Sequence, residues 1–239
     1  SPQRNRVLSD LNLKVHEREV IGILGQSGCG KSTLAKCIVG LERPENGSIL
    51  FRGKNIAALN GKARREICRH IQMVFQDARA SLNPRHTALR LVMEPLRYFN
   101  RRGRKKQEET ARYYLNQVGI DDDSGARRPP QLSTGQCQRI AIARALVLEP
   151  DILICDEAVS ALDMSIQAQI LALLCDLHRK LGFSILMISH DIRVLRHFCH
   201  LIAVMNDGNF CEINNAKNLL RESGNPYTRL LLDRELAYE

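Results

Sequence analysis

Gly25-Gln26-Ser27-Gly28-Cys29-Gly30-Lys31-Ser32-Thr33 follows the apolar run Val20-Ile21-Gly22-Ile23-Leu24 and precedes Leu34-Ala35-Lys36-Cys37-Ile38-Val39. Glycine loses more backbone freedom on folding than any other residue, so this glycine density needs a compensating role. The spacing Gly25-x4-Gly30-Lys31-Ser32, between a strand and a helix, fits a phosphate-binding loop. Glycines let successive backbone N–H groups turn inward around phosphate oxygens. A helix starting near Lys31 aims its positive N-terminal end at the same anion. In this reading the segment Gly25 to Thr33 cradles a nucleotide, Lys31 reaches the β- and γ-phosphates, and Ser32 offers its hydroxyl to Mg²⁺.

Such a loop needs a second metal ligand and a group that handles water. Ile152-Leu153-Ile154-Cys155-Asp156-Glu157 supplies both. The apolar strand carries Asp156 to its C-terminal end, where α/β sheets bind ligands. Asp156 then holds Mg²⁺ directly or through water, and Glu157 polarises the attacking water. Leu132-Ser133-Thr134-Gly135-Gln136 opens a further helix, with Ser133 a good N-cap and the helix start an anion site.

Apolar runs and helical periodicity alternate along the chain, predicting an α/β fold with a mostly parallel sheet. Strands are expected at Leu11–Val15 (an edge), Val20–Leu24, Ser48–Phe51, Ile71–Phe75, Ile152–Cys155, Ser184–Ile188, Leu201–Met205 and Asn209–Ile213, the last two joined by a hairpin turn at Asn206-Asp207-Gly208. Helices are expected over Lys31–Leu41, Ser133–Leu148, Ile166–Leu181 and Ile192–Cys199. The stretch from Thr87 to Gly119 is helical and charged, and Asp121–Gly125 and Arg127–Pro130 read as loops. The helical block near 77–149 is expected as a lobe inserted into a core of 1–76 and 150–239.

The 239 residues suit one large domain, and 44% apolar content can fill its core. No run of about 18 apolar residues is present, so nothing is expected to span a membrane. Ser1–Arg6 is polar and carries no signal peptide, and the missing Met suggests a trimmed chain. None of the eight cysteines forms a C-x-x-C pair, which predicts reduced, mostly buried thiols in a cytosolic protein. Lys31 and the helix start are expected to favour the Cys29 thiolate, so that alkylation blocks ATP binding. The net charge of +9 reads as a basic solvated face rather than a nucleic-acid surface. Arg101-Arg102-Gly103-Arg104-Lys105-Lys106 reads as a turn-like link without interleaved aromatics. His197 and His200 share a helix face that Cys199 does not join, too few ligands for a metal site.

With these motifs in order, the chain resembles an ABC-type ATPase over nearly all its length. The family's LSGGQ signature reads LSTGQ here, and Thr134 is expected to be tolerated. The resemblance implies an ABC ATPase core with an N-terminal antiparallel β subdomain and the helical lobe. It implies that Gln76 in Met73-Val74-Phe75-Gln76-Asp77 contacts Mg²⁺ and water. It implies that Ser160-Ala161-Leu162-Asp163 is the D-loop and that His190 in Ile188-Ser189-His190-Asp191 is the γ-phosphate switch. Ser133, Gly135 and Gln136 of one subunit would close over ATP held by a second ATPase subunit, identical or different. No aromatic precedes Phe51 to stack on adenine, so the base is expected against Val7 and Leu8, with weaker affinity than a longer chain would show.

Ser81-Leu82-Asn83-Pro84-Arg85 and Asn225-Pro226-Tyr227-Thr228-Arg229-Leu230-Leu231 resemble the oligopeptide, dipeptide and nickel importers. Arg128–Leu132 and Asp156–Ser160 look most like the nickel-importing branch. The resemblance implies an ATPase at the cytoplasmic face of the cell membrane, with integral permease partners and, indirectly, an extracytoplasmic solute-binding protein. An ABC-type ATPase acting on DNA or ribosomes is the alternative. The first would need long coiled coils between the motifs and the second a second cassette, and neither is visible.

Overall fold

The computed structural model describes residues 7–99 and 103–236. Ser1–Arg6, Arg101 and Arg102, read above as a polar start and part of a basic link, lie outside the described residues.

In chain order, β1 (Val20–Leu24) leads into α1 (Lys31–Val39), followed by β2 (Leu50–Phe51), β3 (Lys54–Asn55), α2 (Gly61–His70) and β4 (Ile71–Val74). Next come α3 (Ala78–Ser81), α4 (Ala88–Phe99), α5 (Arg104–Gln117) and α6 (Asp122–Gly125). A 3-10 turn at Pro129–Gln131 precedes α7 (Thr134–Leu146), β5 (Ile152–Asp156), α8 (Met164–Leu181) and β6 (Ser184–Ser189). The chain ends with α9 (Ile192–Phe198), β7 (Leu201–Asn206), β8 (Asn209–Asn215), α10 (Ala216–Glu222) and α11 (Pro226–Leu236). It divides into two compact units, Ser1–Asn60 with Ser184–Glu239, and Gly61–Phe183.

In the first unit β6, β1 and β7 run parallel, with Leu24 paired to Ser189 on one side and Val204 on the other. All five residues of β1 are buried, as a strand covered on both faces requires. β8 returns antiparallel to β7 through Asp207 and Gly208, both at positive φ (43° and 78°), the backbone of a tight hairpin. The small antiparallel pair is β2–β3, with Leu50 opposite Asn55. α1 closes on Gly40 at φ 71°, whose N–H donates to the Cys37 carbonyl.

In the second unit β4 and β5 are parallel, Val74 opposite Cys155. α7 is its central helix, burying Cys137, Ile140, Ile142 and Leu146. The Ser81–Arg85 segment is tied to it: Arg144 donates to the Ser81 carbonyl (2.7 Å) and to Ser81 Oγ (3.0 Å), and Leu82 is buried. α8 starts on Asp163, whose carboxylate accepts the Ile166 N–H, and stops at Gly182, φ 76°.

Four readings of the sequence are corrected. Leu11–Val15 alternates in exposure as a strand would, but no ladder pairs it among the described residues, so the period of two yields only extended chain. Arg104, Lys105 and Lys106 form the first turn of α5 rather than a link. Asp121–Gly125 is a helical turn capped by Asp121, which accepts the Ser124 N–H at 2.7 Å. The helices α2 and α10 fill stretches where the periodicity predicts none.

Candidate functional site

The first unit builds the loop from Gly25 to Gly30 at the end of β1. Gly25 is dictated by packing: a Cβ there would fall 2.5 Å from the Met205 carbonyl oxygen and 2.8 Å from Cys29 Sγ. Gly28 and Gly30 adopt φ of 85° and 109°, conformations that L side chains rarely take. Gly30 is also the N-cap of α1 and offers no side-chain cap. The loop is held from outside: Gly208 N–H donates to the Cys29 carbonyl, and Ser9 N–H to the Gly208 carbonyl, both at 2.9 Å. Met205 and Gly208 come from the far end of the chain, so no local pattern announces them. Val7 and Leu8 do lie on the loop, with a Gly30 Cβ reaching to 2.7 Å from Leu8 Cδ2.

Lys31 is only 4% exposed, and its ammonium donates to the Gly25 and Gln26 carbonyls at 2.7 and 2.8 Å. A buried ammonium must be hydrogen-bonded, and here its partners belong to the loop it would serve. Gln26, Ser27 and Gly28 form the exposed tip, while Cys29, Gly30 and Lys31 are buried. Ser32 and Thr33 follow in the first turn of α1.

Cys29 corrects an expectation. Burial pushes its thiol up, against the opposing pull of Lys31 and of the Lys31 backbone N–H. At 8% exposure desolvation outweighs the nearby charge, so the neutral thiol is favoured. His190 is exposed and follows β6 directly, one step beyond the Ser189 that pairs with Leu24. The β1–β6 register therefore brings out Gly25 and His190 from adjacent strand ends. Burial raises the Asp191 carboxyl, but the Arg193 fork, bound at 2.9 and 2.8 Å, and Arg193 N–H hold it below its usual range. His200 has a backbone task, its Nδ1 accepting the Val20 N–H at 3.1 Å.

The second unit carries the acidic pair. The β4–β5 register sets Gln76 and Glu157 each two residues past the paired Val74 and Cys155. Gln76 is exposed, and Asp156, the last residue of β5, is 7% exposed. Glu157 has φ 47°, left-handed for a residue with a Cβ, in a turn whose Ser160 N–H and hydroxyl both donate to the Glu157 carbonyl. A residue with a Cβ pays a steric cost to hold this conformation. Ser133 and Gln136 form a reciprocal capping box: Ser133 Oγ accepts the Gln136 N–H, and Gln136 Oε1 the Ser133 N–H. Gly135 is buried beneath Ile166, whereas Thr134 is exposed, so the added Cβ at 134 meets solvent. Asp163, read as part of a nucleotide-facing loop, serves here as the cap of α8.

Residues 8–160, more than half of the chain, match the ABC transporter family. The chain belongs to that family. This ABC protein is 43% identical over 227 residues to a probable peptide ABC transporter ATP-binding protein of Sinorhizobium fredii, covering 95% of this chain but 64% of that relative's length. It is 40% identical to the oligopeptide transport ATP-binding protein OppF of Escherichia coli, over 97% of this chain and 70% of the relative. It is 44% identical to the nickel import ATP-binding protein NikE of the same organism, over 88% and 78%. Solved ABC cassettes share the fold. A dimeric cassette in a post-hydrolysis state bound to ADP and Pi superposes with TM-score 0.79 at 32% identity, covering 88% of this chain and 90% of that one. The structure of cbiO1 from Clostridium perfringens, part of an ABC transporter complex, gives 0.82 at 30%, covering 90% and 84%. Among the described residues of this ABC cassette, no helix is long and apolar enough to cross a membrane.

Proposed function

We propose that the chain is the ATP-hydrolysing subunit of an importer, powering passage of a di- or oligopeptide, or of nickel or a metal chelate, through integral membrane permeases. The observation that carries this reading is Lys31, buried and held on two carbonyls of a loop whose glycines take conformations closed to other residues. The relatives named as oligopeptide-transport and nickel-import ATP-binding proteins supply the cargo classes. The lobe near 77–149 would dock on the permeases, and the protein would work peripherally on the cytoplasmic side, with a solute-binding protein delivering cargo on the other.

In this reading, loop N–H groups and Lys31 bind the β- and γ-phosphates, as a cradle of donors does. The donor set of Ser32 hydroxyl, Gln76 amide and Asp156 carboxylate is all oxygen, which fits a hard cation. Mg²⁺ supplies charge neutralisation between the phosphates when bound. Glu157 takes the proton of the attacking water, and His190 donates to the γ-phosphate as charge develops there. Ser133, Gly135 and Gln136 act across a dimer, on nucleotide held by the second ATPase subunit, and Asp163 lies in the same interface. The test is ATP hydrolysis and solute uptake by the chain co-expressed with its membrane partners in proteoliposomes, nickel and peptides being offered separately. Failure of the purified assembly to bind ATP would overturn the reading.

A further inference from the structure

α2 is a helix without a core. None of its residues is buried, and it carries Lys62, Arg64, Arg65 and Arg69 against a single acid, Glu66. Arg65 fastens it to α4. The Arg65 guanidinium lies 3.9 Å from the Tyr98 ring centroid and donates to the Tyr98 carbonyl in the last turn of α4. Carbonyls in the last turn of a helix have no intrahelical donor, so this bond satisfies an orphan acceptor. Lys62, Arg65 and Arg69 recur at i, i+3 and i+7 and share one helix face. Lys62 and Arg69 therefore flank the contact with Tyr98.

More cations join them. Arg97, next to Tyr98, is exposed. Gly103 follows Phe99 by four residues, a reach of at most about 14 Å, so the start of α5 lies in the same neighbourhood. Arg104, Lys105 and Lys106 there are all exposed. They stand at the positive end of the α5 dipole, with no acid in the first turn and no side-chain cap from Gly103. Cations in that place weaken the helix that carries them, so they serve something other than the helix. Glu66 and Glu108 are bridged within their own helices, to Arg69 at 3.1 Å and to Arg112 at 3.0 Å. Cations from three helices thus gather around the end of α4.

Such a surface fits a polyanion, and its details favour a bilayer. Tyr98 is 59% exposed, and a tyrosine with its polar tip settles well at headgroup depth. Its ring makes a poor platform for bases: Arg65 covers one face, and Phe99 packs against it at 4.7 Å with the rings 88° apart. Cations on flexible stems, spread over three helix segments, match a continuous field of phosphodiester charge better than they match one acidic side chain. We propose that this basic surface of the second unit, α2 with the end of α4 and the start of α5, docks on the anionic phospholipid headgroups of the membrane. The inference rests on the membrane-side placement proposed above and is independent of the nucleotide site.

The test is partition of the full chain onto vesicles, read by co-sedimentation. Vesicles of phosphatidylcholine with about 30% phosphatidylglycerol are compared with phosphatidylcholine alone. The chain should bind the anionic vesicles, ignore the neutral ones, and be released when salt rises from about 0.1 M to about 0.5 M. Lys62→Gln combined with Arg97→Gln and Lys105→Gln, one cation from each helix, should weaken partition about a hundred-fold, near five-fold per cation. Lys217→Gln, Arg221→Gln and Arg234→Gln together remove the same charge from exposed positions on α10 and α11 of the other unit. That variant should stay within about three-fold of wild type, because salt screens charges outside the contact. No partition of the wild-type chain overturns the inference, and equal losses in the two triple variants overturn it too, by assigning the effect to net charge. A DNA duplex or polyglutamate that holds the chain more tightly than the vesicles overturns the bilayer as its occupant. ATP binding, measured alongside, should be unchanged in both variants and reports on the proposed function separately.

Discussion

Gly135 lies directly against Ile166: a carbon added to Gly135 would stand 3.0 Å from Ile166 Cγ2. The two residues sit in the first turns of α7 and α8, so this contact sets how closely the two helix starts approach. Gly135→Ala gains about 1 kcal/mol of helix propensity but loses more to overpacking, for a net cost of about 1 kcal/mol. Shortening the neighbour should relieve it. Gly135→Ala combined with Ile166→Ala should be more stable than the sum of the single effects by about 1 kcal/mol in urea unfolding. Strict additivity would show that the contact is slack.

Ser133 has two jobs that substitution can separate. Ser133→Ala removes the cap of α7 and should cost about 1 kcal/mol. Ser133→Asp keeps the cap, and its stability should remain within about 0.5 kcal/mol of wild type. It also adds negative charge where the partner's triphosphate is proposed to bind, so hydrolysis should fall well below that of Ser133→Ala. Matching activities of the two variants would remove Ser133 from the nucleotide interface.

Glu157 couples an unusual backbone to a proposed base. Glycine takes φ near 47° without the steric cost that other residues bear, so Glu157→Gly should hold or raise stability by up to about 1 kcal/mol while abolishing hydrolysis. Glu157→Gln should bind ATP, stall hydrolysis and accumulate as a dimer. Thermal melting and single-turnover hydrolysis check both. Wild-type turnover by Glu157→Gln would refute its role.

Cys155 gives the fold a pH dependence. It is completely buried in β5, and burial, with Asp156 adding to it, pushes its thiol up to about 12 from an ordinary 9.0. The folded chain therefore keeps this proton in a range where the unfolded chain has lost it. The stabilisation is full below pH 9.0 and declines as pH rises towards about 12, by about 1.4 kcal/mol per unit. Urea midpoints should drop over this window, and Cys155→Ala should flatten that drop. An equally steep decline in the variant would assign the effect to other groups.

Cys29 should react slowly with iodoacetamide near neutral pH, because burial favours its neutral thiol. Mass spectrometry after timed exposure should find the more exposed Cys68 and Cys175 alkylated first. Labelling of Cys29 ahead of both would reverse the balance between burial and the pull of Lys31.

The parts of the fold that were legible in the sequence are those whose signal is local and redundant. β1 takes the bounds its apolar run announces, and α7 starts where Ser133 caps it. α2 was hidden because none of its residues is buried, so no apolar stripe marks it. α11 has its signals in the letters: Asn225, whose Oδ1 accepts the Tyr227 N–H, and Pro226 at the first helical position mark a turn followed by a helix. At the site, motif spacing located the residues that carry chemistry. What it could not give were contacts formed across the sheet: Met205 forcing Gly25 and Gly208 holding Cys29. Burial was the other blind spot, since the letters place Lys31 beside Cys29 but do not say that the thiol is desolvated.

Four of the proposed motif residues adjoin or are themselves helix caps: Asp77 follows Gln76 and caps α3, Asp191 follows His190 and caps α9, and Ser133 and Asp163 cap their own helices. α3 and α9 have only four and seven residues, so the first turn is nearly all of one and about half of the other. Warming should therefore fray these ends before the sheet gives way, and turnover should fade at temperatures where the bulk of the protein still stands.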